Sequence, residues 1–141
     1  MTDALYQERI VALAKAKTGA GRLEQPTGTA RRDNPLCGDR VTMDVRLDDA
    51  HRIVEVAHQV RGCLLCQAAA SALAGLAPGR DLSGIAGLRH GLNTLIGRET
   101  DGGGETAEVF AAFAPLKDHK SRHDCVNLPF DALEAAMAPG P

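Results

Sequence analysis

The sequence has few aromatic residues, little net charge and no long apolar run. Among its 141 residues there is no Trp, one Tyr and three Phe, so it offers no platform of aromatic rings for stacking. A formal net charge of −2 gives no support to binding of nucleic acid or of an acidic membrane surface. No segment reaches the ~20 apolar residues of a membrane span, and none has the pattern of a signal peptide. We therefore expect a cytoplasmic protein with no nucleic-acid or membrane partner.

The length and composition predict a single domain over residues 1–141. The chain is 44% apolar and 24% charged, as is usual for one globular unit. A domain of this size buries roughly 68% of its unfolded surface. It therefore needs neither disulfides nor a metal to fold, and any metal it binds is expected to be functional.

Hydrophobic periodicity predicts an α+β fold. Residues 41–47 and 53–60 alternate or are β-branched, which indicates an antiparallel hairpin, and residues 18–34 are predicted to be an exposed loop. Helical spacing predicts five helices, at residues 2–17, 64–76, 85–96, 107–113 and 126–137. The fourth helix is expected to end near Pro115, and Pro129 is expected in the first turn of the last helix. We expect two or three antiparallel strands with helices packed on one face.

The four cysteines are better read as thiols or metal ligands than as disulfides in a reducing compartment. Cys37 and Asp39 precede the first hairpin strand, and Cys63 follows the second, where it begins a helix whose N-terminus favours a thiolate. Cys125 opens the last helix, so all four can meet at one end of the sheet. Three thiolates and a carboxylate suit Zn²⁺ or iron–sulfur chemistry.

Several short motifs together resemble the iron–sulfur cluster assembly proteins of the IscU/NifU N-terminal/SufU family, over residues 3 to 137. The matching segments are Asn34-Pro-Leu-Cys-Gly-Asp39, Val60-Arg-Gly-Cys63, the small-residue helix 68–73, Cys125-Val-Asn-Leu128 and Ala132-Leu133. The resemblance implies an α+β fold with an antiparallel sheet. It also implies a SufS-like cysteine desulfurase as sulfur donor, and downstream assembly machinery or apo-proteins as recipients.

The resemblance further implies a site that holds Zn²⁺ or a nascent, transient iron–sulfur cluster. Carried over by position, its ligands are Cys37, Asp39, Cys63 and Cys125. IscU-like scaffolds have a histidine directly before the last cysteine, whereas this chain has Asp124 there.

Other positions favour the SufU-like branch, which resembles a zinc-dependent sulfur acceptor more than a scaffold. The stretch that includes 80–96 looks like the insertion of that branch, and Arg122 matches a basic residue of its motif. His123 stands one residue too early for the scaffold histidine, and Asp124 is interpreted as an N-cap of the last helix. Cys66 departs from the pattern, and its role as spare ligand, resolving thiol or core residue stays open.

Three functions are compatible with these residues. In the first, a thiolate, for which we select Cys37, attacks the outer sulfur of a desulfurase persulfide. In the second, the same cysteines carry a [2Fe–2S] or [4Fe–4S] cluster as it is built. The third is a structural zinc module, which the Gly-rich approach to Cys37 disfavours because structural zinc sites are closed. Whether the chain is a sulfurtransferase-like carrier or a non-enzymatic scaffold is left open by the sequence.

Overall fold

A computed structural model describes residues 2–36 and 38–138, and it confirms the α+β class. Its three-stranded antiparallel sheet has the order β1-β2-β3. The elements are α1 (Thr2–Ala16), β1 (Gly28–Asn34), β2 (Asp39–Leu47), β3 (Ile53–Arg61), α2 (Leu64–Leu76), α3 (Leu82–Leu95), 3-10 helices at Glu108–Asp118 and Lys120–Arg122, and α4 (His123–Met137). Within this described part, no helix has the length and apolar character needed to cross a bilayer.

The predicted hairpin forms as β2 and β3, and its apolar residues build one wall of the core. Val41 lies opposite Val60 and Val45 opposite Val56, so the period of two places them on the same face. Helices α2 and α4 pack against this inner face, and α1 packs on α2. The largest fully buried side chains come from every layer: Ile10, Met43, Leu73, Leu88, Phe113, Phe130 and Leu133.

Strand β1 corrects the loop prediction for residues 28–34. It pairs antiparallel with β2, from Gly28 opposite Val45 to Asn34 opposite Asp39. Of the residues of β1, only Ala30 packs against the core. The strand therefore lacks the alternation of apolar and polar residues from which a strand is predicted. Gly28 also allows close contact with α4, since a Cβ there would lie 1.9 Å from the Ala136 carbonyl oxygen.

Two helix predictions also need correction around prolines. The 3-10 helix at Glu108–Asp118 continues through Pro115 instead of ending there, because the fixed φ of proline, about −65°, lies within the range of a 3-10 helix. Pro129 lies in the second turn of α4, not the first, because the helix begins at His123. Asp124 is for the same reason a first-turn residue and not the N-cap, which is Arg122.

The segment between α1 and β1 covers part of the outer face of the sheet. It begins along the edge of β3, where His58 N–H donates to the Gly19 carbonyl at 2.8 Å and Gly21 N–H donates to the His58 carbonyl at 2.8 Å. It then crosses to Asp44 of β2, whose carboxylate accepts from Arg22 Nε at 2.6 Å and from Leu23 N–H at 3.0 Å. The outer face is thus covered in its middle but not at the end where β2 begins.

Candidate metal centre

Three of the four predicted ligands meet at the end of the sheet. One donor atom each of Asp39, Cys63 and Cys125 lies within 4.8 Å of the other two. They come from the first residue of β2, the residue before α2 and the first turn of α4. The fourth, Cys37, lies outside the described residues. Two thiols and a carboxylate at these separations form a donor set that suits Zn²⁺.

Asp39 and Cys63 are joined by two contacts across the β2–β3 hairpin. The Cys63 backbone N–H donates to Asp39 Oδ1 at 2.9 Å, and Cys63 Sγ lies 3.7 Å from Oδ2. Asp39 is 2% exposed, whereas Cys63 is half-buried. A carboxylate buried this deeply is stable only with polar partners. Asp39 is therefore held in place by the backbone that presents Cys63.

Gly62 makes this approach of Asp39 to Cys63 sterically possible. A Cβ at position 62 would lie 2.5 Å from Asp39 Oδ1 and 2.8 Å from its Cγ. Any other residue would push the carboxylate away from the Cys63 N–H. Gly62 was not singled out in the sequence, although its place directly before a predicted ligand was a usable signal.

The loop before Asp39 is a tight turn. Gly38 N–H donates to the Asn34 carbonyl at 2.8 Å, and Leu36 N–H donates to Asn34 Oδ1 at 3.1 Å. Gly38 has φ +75°, a conformation that favours glycine. Leu36 is 92% exposed, so this turn presents an apolar side chain to solvent.

A buried amide network fixes the start of α4, which carries Cys125. Asn127 Nδ2 donates to the His123 carbonyl at 2.9 Å and to Asn93 Oδ1 at 2.8 Å. Asn127 Oδ1 accepts from Asn93 Nδ2 and from Arg89 Nε, each at 3.1 Å. Because α3 supplies Arg89 and Asn93, that helix sets the position of the first turn of α4. No local sequence pattern pointed to this pairing, since its members lie more than thirty residues apart.

The two residues before Cys125 have separate contacts. His123 is buried and its Nε2 lies 2.8 Å from the Leu116 carbonyl. Asp124 is exposed and accepts from Arg98 Nη1 at 3.1 Å. Neither belongs to the Asp39, Cys63 and Cys125 group found among the described residues.

Arg122 and His119 instead border the approach to Cys63. A cavity of about 430 Å³ is lined by Cys63, Leu64, Leu65, Leu116, His119 and Arg122. This recess gives the Cys63 thiol a path to solvent with a basic residue at its rim. The sequence placed Arg122 near the thiols only through the resemblance.

Cys66 belongs to the core. Its side chain is fully buried, on α2 one turn after Cys63, within the apolar cluster that joins α2, α4 and the sheet. Among the described residues it is not a member of the Asp39, Cys63 and Cys125 group. Of the interpretations left open by the sequence, packing is the one that this position favours.

A second group of potential ligand atoms is found in the described residues, at His90, Glu99 and Asp101. His90 Nε2 lies 2.6 Å from Asp101 Oδ1, which also accepts from Gly103 N–H at 2.9 Å. Hydrogen bonding to Asp101 raises the pKa of His90. All three side chains are at least partly exposed, so an ion pair accounts for the group.

The sequence matches a known protein family over more than half of its length. The NifU-like N-terminal domain family matches residues 5–91. This chain belongs to that family. The match includes Asp39 and Cys63 but ends before Cys125. The proximity of Cys125 to the other two residues is therefore seen only in the structure.

One curated relative extends the likeness beyond residue 91. The bifunctional protein NifU/MnmA of Rubrobacter xylanophilus is 32% identical over 121 residues, which is 83% of this chain. The chain spans only 25% of the length of that relative. The likeness therefore concerns one part of a much longer protein.

Two solved structures share the whole architecture. The N-terminal part of a nitrogen-fixing NifU-like protein from Brucella abortus has a TM-score of 0.81 and 28% identity, with 96% of this chain and 93% of that chain covered. A protein from Fervidobacterium islandicum, described as a candidate iron–sulfur cluster assembly scaffold for the SUF system, has a TM-score of 0.79 and 25% identity, with 93% and 95% covered. The predicted IscU/NifU/SufU resemblance is thus confirmed.

Proposed function

We propose that this chain is an iron–sulfur cluster biogenesis protein that binds Zn²⁺ and accepts persulfide sulfur from a cysteine desulfurase. The observation that carries the proposal is the convergence of Asp39, Cys63 and Cys125 within 4.8 Å. Family membership supports the assignment to cluster biogenesis. Residues 1–141 are proposed to act as one cytoplasmic domain.

The proposed zinc ligands are Cys37, Asp39, Cys63 and Cys125. When bound, Zn²⁺ keeps coordinating thiols deprotonated near neutral pH. Asp39 is already oriented by the Cys63 N–H, and such outer contacts commonly raise the affinity of a metal site. The types and the proximity of the three described donors therefore support zinc as the bound metal.

Cys37 is the proposed sulfur acceptor. Its thiolate attacks the outer sulfur of the desulfurase persulfide, so that a new S–S bond forms on Cys37 as the S–S bond of the donor breaks. The donor cysteine leaves as a thiolate, and no external oxidant or reductant is consumed. The exposed turn formed by Asn34 and Gly38 supports access for a partner protein to this position.

Cluster assembly on the same cysteines is the second candidate. The description of the Fervidobacterium relative as a scaffold favours it. Against it, Asp124 occupies the scaffold histidine position, where it pairs with Arg98. His123 also faces the Leu116 carbonyl instead of the thiols. These contacts support the acceptor over the scaffold.

The test is turnover of the cysteine desulfurase from the same genome, with mild thiol reductant and no iron. We expect large stimulation by the zinc-loaded chain and none by Cys37→Ser, which should still take up part of the zinc. Cys66→Ser is the matched control, because Cys66 lies outside the gathered ligands.

Two outcomes would count against the acceptor. Full sulfur acceptance by Cys37→Ser would exclude Cys37 as the acceptor. Absence of stimulation by the zinc-loaded wild type, together with assembly of a visible-absorbing cluster when iron is supplied, would favour the scaffold.

A further inference from the structure

Three arginines lie together on the outer face of the sheet, at the end next to the metal centre. Arg31 is on β1, Arg40 on β2 and Arg61 on β3. Arg40 and Arg61 are directly opposed across the β2–β3 pair, and Arg31 is opposed to Thr42. All three are exposed. Like charges in opposed positions destabilise a sheet, so this arrangement needs a compensating role.

The arginines are only partly neutralised by the protein. Asp33 Oδ1 accepts from Arg40 Nε at 2.9 Å, and Asp33 Oδ2 lies 3.9 Å from Arg31 Nε. For Arg61, the described part of the chain supplies no salt bridge. The whole chain carries a net charge of −2, so this excess of positive charge is local. It is not a consequence of a basic protein.

The arginines border a concave, polar surface. A cavity of about 580 Å³ is lined by Arg31, Arg40, Thr42, Gln59, Val60 and Arg61. Next to it, a recess of about 330 Å³ is lined by Arg40 and Arg61 together with Gly38 and Asp39. The arginine surface is thus continuous with a residue of the metal centre.

We propose that Arg31, Arg40 and Arg61 form a docking surface for an acidic segment of a partner protein. Guanidinium groups bind carboxylates through paired hydrogen bonds, and the Thr42 and Gln59 side chains between them favour a polar occupant. Arg31 and Arg61 lie on strands two apart, so their backbones are separated by roughly 10 Å across the sheet at a spacing of ~4.8 Å per strand. An extended chain with several carboxylates can engage all three arginines at once, one carboxylate to each guanidinium.

The surface places its occupant beside Asp39. A partner held by Arg40 and Arg61 extends over the shared recess toward the metal centre. The docking surface is independent of whether that centre handles zinc, sulfur or a cluster. A peptide-binding experiment can therefore test the docking surface without a desulfurase and without a bound metal.

The experiment is an NMR titration of the ¹⁵N-labelled chain with a short peptide of alternating glutamate and glycine. We expect shift changes concentrated at Arg31, Arg40, Thr42, Gln59 and Arg61, weakened by added salt. Arg40→Gln/Arg61→Gln should reduce peptide affinity about tenfold or more, because two charge-assisted hydrogen-bonded pairs are lost. Arg52→Gln, an exposed arginine before β3 at the far end of the sheet, should bind like wild type.

Several results would overturn the proposal. One is equal affinity of wild type and the double variant, and another is shift changes spread over the whole surface. Saturation at the same residues by inorganic phosphate at lower concentration than the peptide would reassign the surface to a small anion. Thermal melting verifies that the double variant is folded, and the effect of salt on wild-type binding provides a second test that needs no variant.

Discussion

Gly62 sets the distance between the Asp39 carboxylate and the backbone of Cys63. The missing Cβ leaves the space that Asp39 Oδ1 occupies, and an added methyl would lie 2.5 Å from that oxygen. The Cys63 N–H then reaches the same oxygen at 2.9 Å. A single hydrogen atom as a side chain is thus part of how the proposed ligands are held.

Gly62→Ala is expected to weaken Zn²⁺ binding about 10–100-fold, the usual cost of disturbing a group that orients a ligand. The carboxylate must move away to accommodate the methyl group. The measurement is a competition titration against a chromophoric zinc chelator. Gly87→Ala is the matched control, because nothing lies within 4 Å of a Cβ there on α3. Unchanged affinity in Gly62→Ala would show that Asp39 is not held as described.

His58 is the second residue whose environment has a measurable consequence. His58 is 5% exposed, and its Nε2 lies 2.7 Å from the Thr18 carbonyl. Nδ1 has no hydrogen-bond partner among the described residues. Burial lowers the pKa of His58, and the Thr18 contact opposes this only in part. Protonation therefore favours the unfolded chain.

The free energy of unfolding of the metal-free protein should fall as the pH drops below about 6.5, where the unfolded chain takes up a proton at His58 before the folded one does. Above that pH His58 is neutral in both the folded and the unfolded chain, so its protonation does not reduce the free energy of unfolding. Urea titrations at about pH 7.5 and 5.5 should show a smaller decrease for His58→Gln than for wild type. His51→Asn, in an exposed turn with φ +62°, should keep the wild-type decrease. An identical decrease in all three proteins would contradict the assignment to His58.

At the scale of elements, Asp44 attaches the segment before β1 to the sheet. Its side chain is fully buried and accepts from Arg22 Nε and Nη2, from Leu23 N–H and from Thr29 Oγ1, at 2.6–3.1 Å. Burial acts to raise the pKa of the Asp44 carboxyl, but these hydrogen bonds outweigh it and lower the pKa below its usual value. The folded protein therefore stabilises the charged form of the Asp44 carboxylate.

Asp44→Asn should lower the free energy of unfolding by about 1–3 kcal/mol, because a buried network loses an acceptor and its charge. The Leu23 amide should exchange with solvent faster, since its acceptor is weakened. Hydrogen exchange followed by NMR measures this at the single amide. Asp49→Asn, exposed in the β2–β3 turn, should leave both quantities unchanged. Slow Leu23 exchange in Asp44→Asn would show that other contacts hold the segment.

At the scale of the whole molecule, the core does not depend on the metal centre. The buried side chains form a cluster that joins the four α-helices and the 3-10 helix Glu108–Asp118 to the inner face of the sheet. The proposed ligands occupy only one end of that sheet. Zinc is therefore expected to add stability to a chain that is already folded.

Removal of Zn²⁺ by a chelator should lower the melting temperature by about 5–10 °C while the far-ultraviolet circular dichroism stays that of a folded protein. A ligand at a hundred times its Kd contributes about 2.7 kcal/mol, and each kcal/mol shifts the Tm of a domain this size by roughly 2–4 °C. Scanning calorimetry with and without the chelator is the measurement. Loss of all cooperative unfolding would mean that zinc is structural.

Elements with strong hydrophobic periodicity could be predicted from the sequence alone. The β2–β3 hairpin and helix α2 were predictable because alternation and helical spacing are local properties. Local order also placed Asp39 before one hairpin strand and Cys63 after the other, so their proximity followed. Strand β1 escaped prediction because its pairing with β2 needs no apolar pattern of its own.

Contacts between distant segments could not be predicted from the sequence. Asn93 and Asn127 recognise each other across α3 and α4, and Cys66 is separated from the ligand group by burial in the core. Such contacts depend on how helices pack, and packing leaves no periodic trace in one sequence. The residue types thus indicated the chemistry, while the three-dimensional packing decided which of them meet.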